Sequence, residues 1–344
     1  MCSKIGIYVL VLGLLTVLAQ ATRPPKVFNT TCENDSETGA LQIGGYRDSC
    51  PDAEFIIFSW VQNFVLYDPR MAASLLRLHF HDCFVNGCDA SVLLDDTDDF
   101  IGEKTAAPNL NSLRGFEVID AIKTELEVVC PGIVSCADIL AVAARDSIVL
   151  SNGPGWEVET GRRDGLTASK AAANANIPAP NSTVQTLLTM FRNVGLTLPD
   201  MVALSGAHTL GKARCSTFSP RLQTNKGDIN LDFMQSLQQI CSITNDDNNN
   251  NNNNNIVVDL DLVTPSTFDN QYYVNLLSKE GLLPSDQVLV DGENDQTAEL
   301  ARSYADDEGA FFDDFQSAML KMGSIGVLTG SNNGEIRVNC RAIN

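Results

Sequence analysis

Positively charged residues are scarce in this chain. Its 344 residues include 23 lysines and arginines against 43 aspartates and glutamates, so the formal net charge is −20. A surface of this charge repels polyanions, which argues against nucleic acid and anionic membranes as partners. The charge balance itself carries no information on the fold.

Several motifs of well-known enzyme classes are also absent from the sequence. It contains no glycine-rich phosphate loop, no Gly-x-Ser-x-Gly nucleophile elbow, no internal repeat and no paired Cys-x-x-Cys spacing. These absences argue against P-loop nucleotide chemistry and an α/β-hydrolase site. They also make zinc binding by the cysteines a weak alternative to structural disulfides.

The chain has one long apolar run, which lies at its start between Ile5 and Leu18. Lys4 precedes the run and the A-x-A pattern Ala19-Gln20-Ala21 follows it, so residues 1–21 are predicted to be a secretory signal peptide. A membrane anchor is the alternative, but the run is short for a span. The mature protein is therefore expected outside the cell, in an oxidising compartment.

The rest of the chain divides by composition into two parts. Residues 22–41 form a polar extension, and residues 42–344 are predicted to be a single domain that can bury a large core. Inside this domain, the asparagine-rich stretch 245–255 cannot bury apolar surface and is expected to be a surface loop. N-glycosylation sequons occur at Asn29, Asn34 and Asn181.

The ten cysteines suit a secreted chain with structural disulfides. Cys2 would leave with the signal peptide, so nine cysteines remain. Because nine is odd, one thiol must be free or paired with another molecule. Cys32 is the predicted odd cysteine, since it lies in the polar extension.

Apolar residues recur at helical spacing through the domain, whereas strand-like alternation is scarce. One apolar stripe runs from Ile56 to Phe64 and another from Val118 to Leu126. The periodicity thus predicts a mostly helical protein. Further predicted helices cover Cys136 to Leu150, Thr183 to Val194 with Gly195 at its C-cap, Asp232 to Ile240, Asn270 to Ser278, and Gly309 to Met322.

Histidine is rare, with three in the whole chain, and two of them lie in the segment 77–83. On a helix, Arg77 and His81 share a face because they are four residues apart, and Phe80 adds an apolar plane beside them. His79 falls on roughly the opposite side. A base and a fixed cation on one face suit proton transfer coupled to stabilisation of developing negative charge.

The third histidine, His208, lies in the apolar, glycine-flanked segment 204–211. Taken alone, it is either a hydrogen-bonded core histidine or an axial ligand to a metal. The residues by themselves leave both interpretations open.

Two clusters of oxygen-bearing residues look like calcium sites, because calcium prefers mixed carboxylate, hydroxyl and carbonyl oxygens. Their spacing does not match an EF-hand, so solvated loop acids are the alternative. The first cluster comprises Asp82, Asp89 and Ser91, with the backbone carbonyls of Val85 and Gly87. The second cluster comprises Asp261, Thr264, Thr267 and Asp269, which Thr209 could join.

The segment from Ala73 to Ser91 resembles the distal-helix signature of the class III secretory plant haem peroxidases, of the anionic cell-wall type. The likeness runs from about Gln42 to Asn344, and its motifs are highly specific in this order. Supporting matches are Glu103-Lys104, Pro108-Asn109, Cys136-Ala137-Asp138, Gly161-Arg162-Arg163-Asp164, Ala203 to Thr209, Phe268-Asp269-Asn270, and Leu283 to Gln287.

This resemblance implies an all-α, two-lobed haem peroxidase fold, with haem b between a distal and a proximal lobe and two bound calcium ions. It implies that His81 is the distal base and that Arg77 stabilises negative charge as the O–O bond of hydrogen peroxide breaks. It further implies that Asn109 accepts the N–H of His81. On the proximal side, His208 would be the axial ligand of the haem iron and Asp286 the carboxylate that accepts its other N–H.

The resemblance also assigns structural and donor-contact residues. Glu103 would brace the distal calcium through water, and Pro178 would contact the donor at the haem edge. Thr217 stands at a position that usually flanks that edge, so the donor preference stays open. The implied disulfides are Cys50–Cys130, Cys83–Cys88, Cys136–Cys340 and Cys215–Cys241.

The expected function is two-electron reduction of hydrogen peroxide, followed by one-electron oxidation of phenolic donors such as lignin or suberin precursors. The protein is expected to be secreted to the plant cell wall and to act as a monomer. One alternative is a non-catalytic, calcium-binding cell-wall glycoprotein on the same fold. Another, a non-haem metal enzyme, lacks the histidine-rich first shell that such a site needs.

Overall fold

The structure is a computed structural model that describes residues 40–98, 100–223, 227–242, 256–292, 294–331 and 333–344. These residues belong to one compact unit. The predicted signal peptide, Cys32, the sequons at Asn29 and Asn34, and the whole asparagine-rich stretch 245–255 lie outside the described residues.

The described part of the chain is mostly helical, which confirms the all-α prediction. Two short antiparallel pairs join β1 (Gln42–Ile43) to β2 (Glu159–Thr160) and β3 (Lys212–Arg214) to β4 (Val257–Asp259). The helices are α1 Ala53–Tyr67, α2 Arg70–Cys83, α3 Phe116–Val129, α4 Cys136–Leu150, α5 Lys170–Asn176, α6 Val184–Asn193, α7 Leu198–Ser205, α8 Cys215–Leu222, α9 Leu231–Ser242, α10 Gln271–Leu277, α11 Pro284–Asp291, α12 Asp295–Asp306 and α13 Glu308–Gly323.

Side-chain caps begin several of these helices. The Ser135 hydroxyl accepts the backbone N–H of Asp138 at the start of α4, and Thr183 caps α6 in the same way. Thr197 and Asp200 form a reciprocal capping box at the start of α7. Gly195, predicted as the C-cap of α6, has a φ of 85° just after the helix ends.

The helices pack in two groups. In the first group, α2 lies against α4, and α1 packs against α2, α3 and α4. In the second group, α7, α10, α12 and α13 pack together, with α11 against α12. Aromatic rings fill the core of the second group, where Tyr273, Tyr304, Phe311 and Phe315 are all buried.

A buried ion pair connects the two groups. Arg162 donates to Asp138 of α4 at 2.7 Å and, through Nε, to the Gly323 carbonyl at the end of α13 at 2.9 Å. Both charged side chains are almost fully buried. Removal of one partner would leave a buried charge uncompensated, which makes this link costly to break.

The described residues form four disulfides, in the pairs that the resemblance implies: Cys50–Cys130, Cys83–Cys88, Cys136–Cys340 and Cys215–Cys241. No helix in the described ranges is long and apolar enough to cross a membrane.

Candidate active site

His81 lies near the end of α2, where its side chain is buried. Its Nδ1 lies 2.6 Å from Oδ1 of Asn109, and Nδ2 of Asn109 donates to the Glu103 carbonyl at 2.9 Å. Because that carbonyl can only accept, Asn109 must present its oxygen to His81, and His81 must donate from Nδ1. In the neutral ring, Nε2 is therefore unprotonated and free to act as a base.

Arg77 lies one helical turn before His81 and is held by the loop that carries Asn109. Its guanidinium donates to the Pro108 carbonyl at 2.9 Å and to the Ser112 carbonyl and hydroxyl, each at 3.1 Å. No carboxylate of the described residues neutralises this guanidinium. One loop thus orients both the base and the cation of the site.

Burial and charge tune both of these groups. Burial, reinforced by the positive charge of Arg77, holds the pKa of His81 well below 6.5, against a smaller upward effect of Asn109. Burial also lowers the pKa of Arg77 to about 10, with help from Arg214 and Arg70. Around neutral pH, His81 is therefore a neutral base beside a charged arginine.

An aromatic wall stands beside His81. The Phe80 ring meets the imidazole edge-on, with 5.7 Å between ring centroids. Phe84 packs on Phe80 at 4.2 Å and on Phe191 of α6 at 4.9 Å. These contacts fix the Phe80 ring in place and provide an apolar surface on that side of the base.

His208 lies in the short 3-10 turn Gly206–Thr209 that follows α7. Its Nδ1 lies 2.8 Å from Oδ1 of Asp286, near the start of α11. The same oxygen accepts the hydroxyl of Tyr272 at 3.1 Å. Because the carboxylate accepts, His208 donates from Nδ1, and in the neutral ring Nε2 keeps a free lone pair.

His208 combines a strong carboxylate partner with partial exposure. Burial lowers its pKa, but the Asp286 carboxylate more than compensates, so the pKa lies above 6.5. The His208 side chain is nevertheless 40% exposed, whereas Asp286 is 4% exposed. The positive charge of Arg77 slightly opposes this rise in pKa, so Arg77 and His208 lie within electrostatic range of each other.

The first acidic cluster is assembled in the structure. The carboxylates of Asp82 and Asp89 are almost fully buried, with Ser91 and Glu103 beside them. Burial raises the pKa of Asp82 well above its usual range, and the Asp89 and Glu103 carboxylates add to the effect. Burial likewise raises the pKa of Asp89, and that of Glu103 to about 7. Three acids in one buried volume repel one another and favour a cation.

Two backbone carbonyls of this cluster are already engaged. The Val85 carbonyl accepts from Asn176 at 3.3 Å, and the Gly87 carbonyl accepts the N–H of Asp89 at 2.8 Å. Gly87 has a φ of 104°, and a Cβ there would meet the backbone of Gly326 at 2.6 Å. A glycine is therefore required at this turn.

The second cluster lies directly after His208. Thr209 is fully buried, and its hydroxyl lies 3.0 Å from Asp269 and 3.3 Å from Asp261. The Thr264 hydroxyl donates to Asp261 at 3.2 Å. Thr267 is joined to the cluster through its backbone N–H, which donates to the Thr264 carbonyl at 3.0 Å. The β3–β4 pair brings these two stretches of chain together, with Leu260 bonded to Gly211.

A family model described as Peroxidase matches residues 57–307 of the chain. The chain belongs to the peroxidase family. It is 60% identical over 337 residues to Peroxidase 40 of Arabidopsis thaliana, covering 93% of each chain. It is also 48% identical over 342 residues to Peroxidase 4 of Vitis vinifera, covering 99% of each, and 52% identical over 305 residues to Peroxidase 9 of Arabidopsis thaliana.

These relatives confirm the resemblance to plant peroxidases. The protein is a hydrogen-peroxide-dependent oxidoreductase with haem peroxidase function. Nothing in the comparisons favours the non-catalytic glycoprotein.

His79 lies away from the site formed by Arg77, His81 and Asn109. It is buried beside Cys83, and the charge of Arg162 acts with burial to lower its pKa to about 3. His79, Cys83 and Cys88 are close enough together to hold a metal, but the two sulfurs are bonded to each other. This histidine is a core residue, as its position on the helix predicts.

A surface groove of about 350 Å³ lies between the start of α6 and α8. Its lining includes Pro180, Asn181 and Thr217. Pro178, the expected donor contact, is half-buried two residues earlier and is not one of the described residues that line the groove.

Four site residues of the peroxidase escaped the sequence analysis. Tyr272 bonds Asp286, Ser112 bonds Arg77, and Arg70 and Arg214 add positive charge beside Arg77. Tyr272 follows the Phe268-Asp269-Asn270 motif by two residues, which was the one available signal. The others act across the fold and leave no local pattern.

Proposed function

We propose that this peroxidase reduces hydrogen peroxide by two electrons at a haem b held between His81 and His208, and oxidises phenolic donors in one-electron steps. The observation that carries the proposal is the pair of oriented histidines, each held by a hydrogen bond from Nδ1. Each donates from Nδ1 to a fixed acceptor, so each keeps Nε2 free. Arg77 stands beside one of them as an unneutralised cation.

The chemistry of these residues fits a haem. His208 has the free Nε2 and the carboxylate-bonded Nδ1 that an axial imidazole ligand needs. Arg70 and Arg214 supply positive charge close to Arg77, which suits the carboxylates of a porphyrin edge. When bound, haem supplies the two electrons that reduce peroxide and is restored by electrons from the donor.

His81 performs the proton transfers in this proposal. Its Nε2 takes a proton from one oxygen of hydrogen peroxide and returns it to the departing oxygen, which leaves as water. Arg77 stabilises the negative charge that develops on the departing oxygen as the O–O bond breaks heterolytically. Asn109 keeps Nδ1 protonated, so that the base is available at Nε2. Asp286 raises the basicity of His208, and Tyr272 limits that effect by sharing the same oxygen.

The two acidic clusters support two calcium ions. In the first, one carboxylate oxygen of Glu103, Oε2, is buried without a hydrogen-bond partner among the described residues. Asp82, Val85, Gly87, Asp89 and Ser91 would hold this distal ion, with Glu103 acting through water. The proximal ion would be held by Thr209, Asp261, Thr264, Thr267 and Asp269.

We also infer that the protein is secreted to the cell wall and acts there as a monomer. Its disulfides suit an oxidising compartment, and its net charge of −20 opposes self-association. Lignin or suberin precursors would be the donors. The comparison that tests this is turnover of monolignols against unrelated phenols, and equal rates would contradict the assignment.

The central experiment is the visible absorption spectrum of the secreted, calcium-loaded protein before and after one equivalent of hydrogen peroxide. A Soret band that shifts with peroxide and recovers on addition of a phenol is expected. His81→Leu should keep the band but slow the peroxide reaction by about 10²–10⁴-fold or more. His208→Ala should weaken haem binding itself. A folded, haem-supplied protein without a Soret band would overturn the proposal.

A further inference from the structure

The groove between the start of α6 and α8 has walls of mixed chemistry. Three prolines and three polar side chains line most of it: Pro180, Pro220, Pro284, Asn181, Ser216 and Thr217. The proline rings offer flat C–H surfaces, and the hydroxyl and amide groups offer hydrogen bonds. Carbohydrate has both kinds of surface, with C–H faces and a hydroxyl rim.

Asn181 is one of these lining residues and is also the asparagine of a sequon, Asn181-Ser182-Thr183. Its side chain is exposed, and its carboxamide makes no hydrogen bond to any other described residue. Neither the middle residue of the sequon nor the residue after it is proline, so the sequon is intact.

The backbone holds Asn181 firmly at the groove. The N–H of Ser182 donates to the Ala179 carbonyl at 3.0 Å, and the N–H of Ser285 donates to the Pro180 carbonyl at 2.9 Å. Directly afterwards, Thr183 caps α6. A sugar attached to Asn181 would therefore start from a fixed point over the groove, which lowers the entropy lost when it settles there.

The groove also adjoins the proximal side of the proposed haem site. Ser285, which bonds Pro180, immediately precedes Asp286, the hydrogen-bond partner of His208. Pro284, which lines the groove, lies two residues before Asp286. An occupant of the groove would thus lie beside the chain segment that holds the partner of His208.

We propose that Asn181 carries an N-linked glycan whose inner sugars lie in this groove and narrow it, so that small phenols reach the site and bulky ones are disfavoured. The selection of donors rests on the proposed function, whereas the glycan and its position do not. With the sugars in place, the walls that a bulky donor would contact are already covered.

The first test measures the glycan without reference to activity. The full chain is secreted from a plant host, and the peptide that contains Asn181 is examined by mass spectrometry. Glycan on most molecules is expected, and an unmodified peptide would overturn the proposal. Hydrogen exchange in the segment 215–222 should then be slower in wild type than in Asn181→Gln, and equal exchange would contradict docking of the sugars.

The second test measures donor selection with matched variants. Asn181→Gln and Thr183→Ala each destroy the sequon, whereas Thr183→Ser preserves both the sequon and the helix cap. For a bulky phenolic dimer, kcat/KM should rise about tenfold in both sequon-less variants but not in Thr183→Ser, whereas a small phenol should change less than about twofold. Equal values for the dimer in all forms would overturn the gating role.

The rate of the peroxide step serves as the control that separates the two proposals. If wild type and all variants fail to react with peroxide, the proposed function fails, while mass spectrometry and hydrogen exchange still decide the glycan and its position. If kcat/KM for the dimer rises as much in Thr183→Ser as in Asn181→Gln, the change comes from the local sequence and not from the sugar, and the gating role is overturned.

Discussion

At the scale of single residues, the site depends on which ring nitrogen carries a proton. Asn109 settles this for His81, because its own amide nitrogen is committed to the Glu103 carbonyl. Asp286 settles it for His208. In both cases, an oxygen that can only accept a hydrogen bond fixes the tautomer.

The charge of Arg77 should set the acid limit of the peroxide reaction. His81 works as a base only when neutral, and burial together with Arg77 holds its pKa well below 6.5. The rate constant with peroxide should therefore stay constant as the pH falls through 6.5. In Arg77→Leu, the pKa of His81 should rise, so the rate constant with peroxide should begin to fall at a higher pH than in wild type.

Stopped-flow kinetics across a pH series would measure this shift. Arg77→Lys is the matched control, since it keeps the positive charge, and it should show the wild-type pH dependence at a lower rate. If Arg77→Leu declined at the same pH as wild type, the electrostatic link between the two residues would be refuted.

Tyr272 should moderate the strength of the His208–Asp286 hydrogen bond. Tyr272→Phe removes one of the two donors to Oδ1 of Asp286, so the carboxylate should draw the His208 proton more strongly. The reduction potential of bound haem iron should fall, and a spectroscopic redox titration would detect it.

Tyr273 provides a control at the neighbouring position. Its hydroxyl donates to the Val202 carbonyl at 2.8 Å and makes no bond to Asp286. Tyr273→Phe should reduce the free energy of unfolding by about 1 kcal/mol without changing the potential. Equal shifts of potential in both variants would show that Tyr272 acts only through stability.

At the scale of structural elements, the C-terminal segment supports the first acidic cluster. Arg337 is fully buried and donates to the carbonyls of Asp89, Ala90, Gly165 and Cys340. A segment far along the chain thus holds the loop that follows His81.

Arg337→Met should destabilise the fold by about 3 kcal/mol or more, because several buried carbonyls lose their donor together. It should also weaken calcium binding at the distal cluster. Arg341 is the control: its pair with Asp120 is partly exposed, so Arg341→Gln should cost about 1 kcal/mol or less. Denaturant unfolding and calcium titration would measure both effects, and equal losses for the two variants would contradict this role of Arg337.

Helices with a continuous apolar stripe were predictable from the sequence. The predicted Cys136 to Leu150 coincides with α4, and Asn270 to Ser278 encloses α10. Helices α5, α7, α8, α11 and α12 were not predicted. The first four have only seven or eight residues each, and the buried face of α12 is built of Thr297, Ala298, Ala301 and Tyr304, which carry little apolar signal. The two strand pairs are only two or three residues long, too short to alternate visibly.

The residues of the candidate site that belong to a sequence motif were predictable. The contacts that depend on the folded chain were not. His81, Asn109, His208 and Asp286 came from the family resemblance, and the structure brings each histidine to its partner. The anchoring of Arg77 relies on backbone carbonyls, which any residue possesses. A sequence pattern carries no trace of such a contact.

At the scale of the whole molecule, calcium should reverse the pH dependence of stability. In the calcium-free protein, burial raises the pKa of Glu103 from 4.5 to about 7, and the pKa values of Asp82 and Asp89 are raised as well. The folded state then binds more protons than the unfolded state, so stability should fall as the pH rises through that range. Calcium favours the ionised carboxylates, so the calcium-loaded protein should lose stability as the pH falls.

Thermal unfolding with calcium and with a chelator, at the two ends of this range, would test the prediction. The difference in Tm between the calcium-loaded and the calcium-free protein should increase as the pH rises. Glu103→Gln removes one titrating group and should flatten the dependence of the calcium-free protein. A gap that did not change with pH would argue against calcium at this cluster.

One loop holds the guanidinium of Arg77 and carries Asn109, the partner of His81. The orientations of Arg77 and His81 therefore depend on the same segment. A disturbance of this loop would release the arginine and free the histidine to change tautomer in the same event. Partial damage, by mild heat or a loop substitution, should therefore yield a mixture of fully competent and fully silent molecules. The total activity would then fall because fewer molecules are active, while the rate constant of each active molecule stays unchanged.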